Sequence, residues 1–176
     1  METRTKSFSS IQQEVEQLIA ELRKEPMQTV DLQPLCFRLT LNTTMAILFG
    51  RSIKDLERET NISEADFARS FDHAQHRLAQ RGRLGDYFWL LGGRKFRGSC
   101  SMVQGFVDAI VAVALAERAE PTGNGSINSD RRDPDRSVFL QALISKTQDP
   151  TILRDQLINI LLAGRDTTGC LLSWTL

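Results

Sequence analysis

Apolar residues recur along most of the chain at spacings of three and four, and no stretch alternates with period two. The fold is therefore expected to be all-α, with about six helices and a long kinked helix at the C-terminal end. Ser10 followed by Gln13 has the form of a capping box. Ile11, Val15, Leu18, Ile19 and Leu22 then make one apolar stripe, ended by Pro26. Asp31 is placed to cap a second helix through Leu35, Leu39, Thr43, Ala46 and Ile47, closing at Gly50. Ser63 with Asp66 opens a third, which carries Phe67, Phe71, Ala74 and Leu78. The glycine-punctuated stretch 81–98, RGRLGDYFWLLGGRKFRG, reads as a helix break plus a loop.

A fourth helix, from about Ser101 to Ala119, turns Val103, Val107, Ile110, Val111 and Ala114 inward. Residues from about 120 to 136 are rich in Gly, Asn, Ser, Pro and alternating charge. They have almost nothing to bury and read as a flexible surface loop inside one domain. Ser137 starts a short helix to Lys146, and Thr151 starts the final helix, which runs to the end of the chain.

Composition narrows the function classes. The 176 residues are 41% hydrophobic, enough for a core, and Lys plus Arg balance Asp plus Glu at 22 each. That balance and the scarcity of aromatic residues speak against a nucleic-acid partner. Cys36, Cys100 and Cys170 are odd in number and far apart, with no C-x-x-C spacing, so they read as free thiols rather than a disulfide or zinc framework. The N-terminal residues have no apolar signal region. The longest apolar stretch, Phe106–Ala116, is short for a bilayer and contains Asp108, so no membrane span is expected in this chain. His73 and His76 lie three apart beside Asp72, a spacing that suits a metal pair but more often a solvated helix face; no metal site is assigned. Phe67, Phe71, Tyr87, Phe88 and Trp89 suit either an apolar channel or, more simply, the core.

The chemistry concentrates in LLAGRDTTG. Ala163, Asp166 and Thr167 fall at i, i+3 and i+4 and share a helical face, with Asn159 one turn earlier. Ala163 and Gly164 admit a large group close to the backbone. Thr167 is able to bond back to the Ala163 carbonyl and loosen the turn, placing a carboxylate and a hydroxyl beside a small-ligand space. The plainer alternative is a core helix with a glycine kink and Arg165–Asp166 on its wet side.

LRDQLINILLAGRDTTGCLLSWTL resembles the long oxygen-binding helix of cytochromes P450, whose pattern is A-G-x-D/E-T-T. VDLQPLCFRLTLNTTMAILFG resembles an earlier helix of the same family, including its closing Leu-Phe-Gly. The form Arg-Asp-Thr-Thr followed by LLSWT is similar to the fungal alkane and fatty-acid ω-hydroxylases. The resemblance covers essentially the whole chain, from the family's D-helix region to its I helix.

It implies a mostly α fold, haem b, an NADPH-cytochrome P450 reductase as electron donor, and hydroxylation of an alkane or fatty acid at the cytosolic face of the endoplasmic reticulum. Asp166 would relay protons and Thr167 would hold a distal water. Ala163, Gly164 and Thr168 would border the haem, and Asn159 and Leu162 the substrate. The family's cysteine loop, its E-x-x-R and its N-terminal anchor do not occur in these residues, and Cys100 after KFRGS only superficially echoes the loop. The chain therefore reads as a middle fragment, expected to be inactive alone for want of an axial thiolate. A non-catalytic helical remnant that binds a partner or lipid is the competing reading.

Overall fold

Asp31 and Gly50 bound the helix on which the rest of the fold is assembled. The Asp31 carboxylate accepts a hydrogen bond from the Gln33 backbone N–H at 3.1 Å. Gly50 takes a left-handed φ of 69° and donates its N–H to the Ala46 carbonyl at 2.9 Å. The computed structural model describes residues 2–23, 29–50, 53–119 and 138–175, so the loop expected at 120–136 lies outside the described residues. The described residues form seven α-helices: α1 (Glu2–Leu22), α2 (Leu32–Phe49), α3 (Ile53–Thr60), α4 (Glu64–Leu84), α5 (Arg94–Ala119), α6 (Val138–Lys146) and α7 (Pro150–Thr175). A 3-10 turn, Gly85–Leu91, joins α4 to α5, and no described residue is in a strand.

α7 packs chiefly on α2 and then on α5, while α4 packs on α5 and the 3-10 turn. The core gathers where these meet. Leu41, Met45 and Leu48 of α2, Phe67 of α4, Phe106 and Val107 of α5, and Leu153, Leu157 and Leu161 of α7 are all buried. The Phe67 and Phe106 rings lie 4.4 Å apart between centroids at a 42° tilt. α7 starts at Pro150, with Asp149 Oδ1 accepting from the backbone N–H of Thr151 at 2.9 Å.

Several local expectations hold. Ser63 caps α4 by accepting from the Asp66 N–H, and Val103, Val107, Ile110, Val111 and Ala114 do face inward. Others are corrected. α1 begins at Glu2, so Ser10 lies inside it rather than capping it. The 3–4 spacing through α2 does not mark its core face: Ile47 is 45% exposed and Leu35, Leu39, Thr43 and Ala46 are part-buried, while Cys36, Leu41, Met45, Leu48 and Phe49 are buried. α2 touches α1, α3, α6 and α7, so apolar residues occur around most of its circumference and no single stripe marks its core face. The eight-residue α3 went unread because it is short and charged, yet it places Leu56 in the core.

The 81–98 stretch is helical through most of its length rather than a loop. Arg81 spans it, its guanidinium lying over the Phe88 ring at 5.1 Å and the Phe96 ring at 5.0 Å. Tyr87, Phe88 and Trp89 are exposed, not core as expected, and so is Leu78. Among the described helices α5 alone, over Arg94–Ala116, is long and apolar enough to cross a bilayer. Its Phe106, Val107 and Val111 are buried within the core cluster, which accounts for its apolar side.

Candidate active site

The register of α7 decides what the AGRDTT stretch presents. Leu153, Leu157, Leu161, Arg165 and Gly169, each four residues after the last, form its buried ridge. Asn159, Ala163 and Thr167, also four apart, lie on the exposed side, with Leu162, Thr168 and Cys170 exposed beside them. The Thr167 hydroxyl donates to the Ala163 carbonyl at 2.7 Å. The turn nevertheless stays α-helical throughout 150–175, so the expected irregularity is present as a side-chain bond and not as a break in the helix.

Gly164 lies where α2 comes closest. A Cβ there would stand 2.9 Å from Thr44 Oγ1 and 3.1 Å from Thr44 Cγ2. Thr44 is itself held, donating to the Thr40 carbonyl at 2.7 Å. Thr40 Oγ1 lies 3.0 Å from the Arg165 carbonyl and 3.0 Å from the Cys36 carbonyl of its own helix, so α2 and α7 share this one hydroxyl hydrogen. Gly164→Val is therefore expected to destabilise the chain by about 1–3 kcal/mol through overpacking, measured by urea unfolding. Thr44→Ala added to that variant should restore part of the loss, whereas an equal loss in both backgrounds would place the strain elsewhere.

Arg165 was not foreseen as a buried residue. It is 4% exposed, its guanidinium 5.0 Å from the Phe37 ring and 5.4 Å from the Phe71 ring. Nη2 pairs with Asp72, and Nη1 donates to Gln75 Oε1 at 3.1 Å and to Asp166 Oδ1 at 3.4 Å. Gln75 Nε2 donates to Asp166 Oδ2 at 2.6 Å. Asp166 is thus half-buried and turned to α4, while Thr167 faces outward. The two share neighbouring positions but not one surface. The sequence held a signal for this, since Arg165 continues the Leu153–Leu157–Leu161 spacing.

A groove of about 1110 Å³ opens between α1, α2 and the start of α4, lined among others by Glu14, Arg38, Asn42, Glu64, Asp72 and Arg165. None of Asn159, Leu162, Ala163 or Thr167 lines it. His73 Nδ1 is 3.1 Å from Ser99 Oγ and His76 Nε2 is 2.9 Å from Gln80 Nε2, so each imidazole has its own neighbour. Desolvation, then Lys95, Arg77 and His76, hold the His73 imidazole below its ordinary pKa.

These observations also test the fit of haem. Ala163 and Thr167, small side chains stacked one turn apart on an open face, suit one wall of a flat macrocycle. The thiols suit the opposite side poorly. Cys36 is buried in α2, and Cys170 follows Thr167 by three residues on the same side of α7. Burial pushes the Cys100 thiol up, against the opposing pull of Arg81.

The cytochrome P450 family model matches residues 2–176. The chain belongs to the cytochrome P450 family. It is 43% identical over 177 residues to a cytochrome P450 of Arthroderma benhamiae, covering 100% of this chain and 34% of that protein. Cytochrome P450 52A5 of Candida maltosa is 36% identical over 170 residues, 91% of this chain and 30% of its own length. Cytochrome P450 monooxygenase g430 of a Fusarium species is 36% identical over 160 residues, 84% of this chain and 27% of its own. This cytochrome P450 chain thus spans about a third of the length of the curated relatives it matches. No solved structure matches it.

Proposed function

We propose that this chain supplies the oxygen-side wall of a haem-dependent monooxygenase that hydroxylates an alkane or a fatty acid. The observation that carries the reading is the open Asn159–Ala163–Thr167 stripe on α7, with Asp166 next to Thr167 in the chain and its carboxylate held toward α4. Electrons would come from NADPH through a cytochrome P450 reductase, at the cytosolic face of the endoplasmic reticulum. Haem b, when bound, would supply O2 binding and activation, with Ala163, Thr167 and Thr168 along one side of it.

The residues divide the remaining work. The Thr167 hydroxyl, with its hydrogen given to the Ala163 carbonyl, keeps oxygen lone pairs that accept a hydrogen bond from a water. Asp166 exchanges protons with solvent and passes them to that water, returning to the carboxylate. The Ala163 methyl leaves room beside the wall, the close seat of Gly164 on α2 fixes the depth of the turn, and Thr168 borders the haem edge. Asn159 and Leu162 lie toward the substrate side, where an exposed leucine suits an alkyl chain.

The test is coupling in the haem-loaded protein that carries this chain. With reductase, NADPH and laurate, Thr167→Ala is expected to lower product formed per NADPH consumed by roughly tenfold, less than the roughly hundredfold or more of a whole positioned proton-transfer group because Asp166 remains. Laurate binding should stay nearly unchanged. Unaltered coupling in Thr167→Ala would remove Thr167 from the reaction. The 176-residue chain alone is expected to give no thiolate-type Soret band with reduced CO.

A further inference from the structure

The two helices that meet at Asp166 have little else to join them. α7 is seated on α2 and α5, whereas α4 is seated on α5 and the 3-10 turn. Between α4 and α7 the polar connections run through Asp72 and Gln75 on one side and Arg165 and Asp166 on the other. Gln75 occupies the middle. Its carbonyl oxygen accepts from Arg165 at 3.1 Å and its amide donates to Asp166 at 2.6 Å, so one side chain fixes two neighbours on α7. Both oxygens of Asp166 are engaged, Oδ2 by Gln75 and Oδ1 by Arg165.

We infer that Gln75 is a positioning residue that latches the Asp166 carboxylate to α4, so that the position of α4 sets whether Asp166 reaches the Thr167 face. An amide is suited to this because it donates and accepts at once; a carboxylate or an ammonium in its place would satisfy only one of the two neighbours. The charged groups around Asp166 are Arg165 on its own helix and Asp72 on α4, while α2 contributes Phe37 and Thr40, which carry no charge. Displacing α4 withdraws Gln75 and Asp72 together. Asp166 then loses its shorter bond, to Gln75, and keeps only the 3.4 Å contact of Oδ1 with Arg165 on its own helix. The latch stands on geometry alone; its role in proton delivery rests on the oxygenase reading.

The first experiment uses the 176-residue chain labelled with 15N. The Gln75 side-chain amide resonance is expected to move in Asp166→Asn and to stay in place in Asp66→Asn, which changes a carboxylate that instead sits at the start of α4 with Arg69. A Gln75 amide that ignores Asp166 overturns the latch. As a second variant, Gln75→Met keeps length without polarity, and the Asp166 carboxyl carbon resonance should then move; an unmoved resonance also overturns it.

In the haem-loaded protein, Gln75→Met should raise the solvent deuterium effect on product formation, because release from the partner, a step that moves no proton, no longer shares control of the rate, with KM for laurate unchanged. A raised KM with an unchanged deuterium effect would assign Gln75 to packing and overturn the gating role. If the loaded wild-type protein makes no product, the oxygenase reading fails while the amide resonance still decides the latch.

Discussion

Asp72→Ala combined with Asp166→Ala is expected to destabilise the chain by about 3–5 kcal/mol, far more than the two single changes added together. The reason is where the charge sits. Arg165 is 4% exposed, but the side chains of its partners are not buried: Asp72 is 56% exposed and Asp166 43%. Removing either carboxylate leaves the other and Gln75 beside the guanidinium, and the solvated end of the pair contributes only about 0–1 kcal/mol. Removing both strands a cation between two phenyl rings. Their faces offset part of its lost hydration through cation–π attraction, but not the absence of a counter-charge. Adding Arg165→Met should recover most of the loss, since methionine fills similar space without a charge to hydrate. Urea unfolding of the single, double and triple variants measures this. Additive, small losses would mean that water reaches the guanidinium after all.

The other large effect is in the core. Phe106→Ala should cost about 3–5 kcal/mol. The ring is fully buried, 4.4 Å from the Phe67 centroid, and it stands in α5 where α4 and α7 converge. An alanine leaves a cavity that both flanking helices would have to move to fill. It also removes an aromatic pair, which contributes about 0.5–1.5 kcal/mol beyond its buried area. Leu78→Ala on α4 is the control. That leucine is 55% exposed, and its truncation should stay within about 0.5 kcal/mol in the same unfolding experiment. Comparable losses at both positions would contradict the packing described for α5.

What the sequence made legible follows from how local each determinant is. Asp31, Ser63 and Gly50 act on backbone groups within four residues, and all three helix boundaries fall where they place them. The inward face of α5 was readable because that helix is one-sided. The core face of α2 is not legible locally, because the helix is packed on several sides and its register depends on partners far along the chain. The exposed aromatics at 87–89 show the same limit, since aromatic content is equally suited to a core and to a surface until the neighbours are known. At the candidate site, AGRDTT marked Ala163, Asp166 and Thr167. Arg165 passed as solvent-facing because a charge is rarely inward, although its spacing after Leu161 placed it there. Gln75 and Asp72, about ninety residues away, leave no local trace at all.

The bond from Thr167 to Ala163 has a consequence for how the open face of α7 handles hydrogen. A threonine hydroxyl carries a single hydrogen, and here it points back into the helix at 2.7 Å from a carbonyl that already serves the backbone. Toward the open side the residue is therefore a pure acceptor, like an ether oxygen. To become a donor it must turn its hydroxyl about the Cβ–Oγ1 bond and give up the carbonyl, a movement of one rotor that leaves the helix intact. Serine would keep both states with a freer rotor, and valine would keep the shape with neither. Any guest on this face is thus met first by a lone pair, and only after a turn of the side chain by a hydrogen.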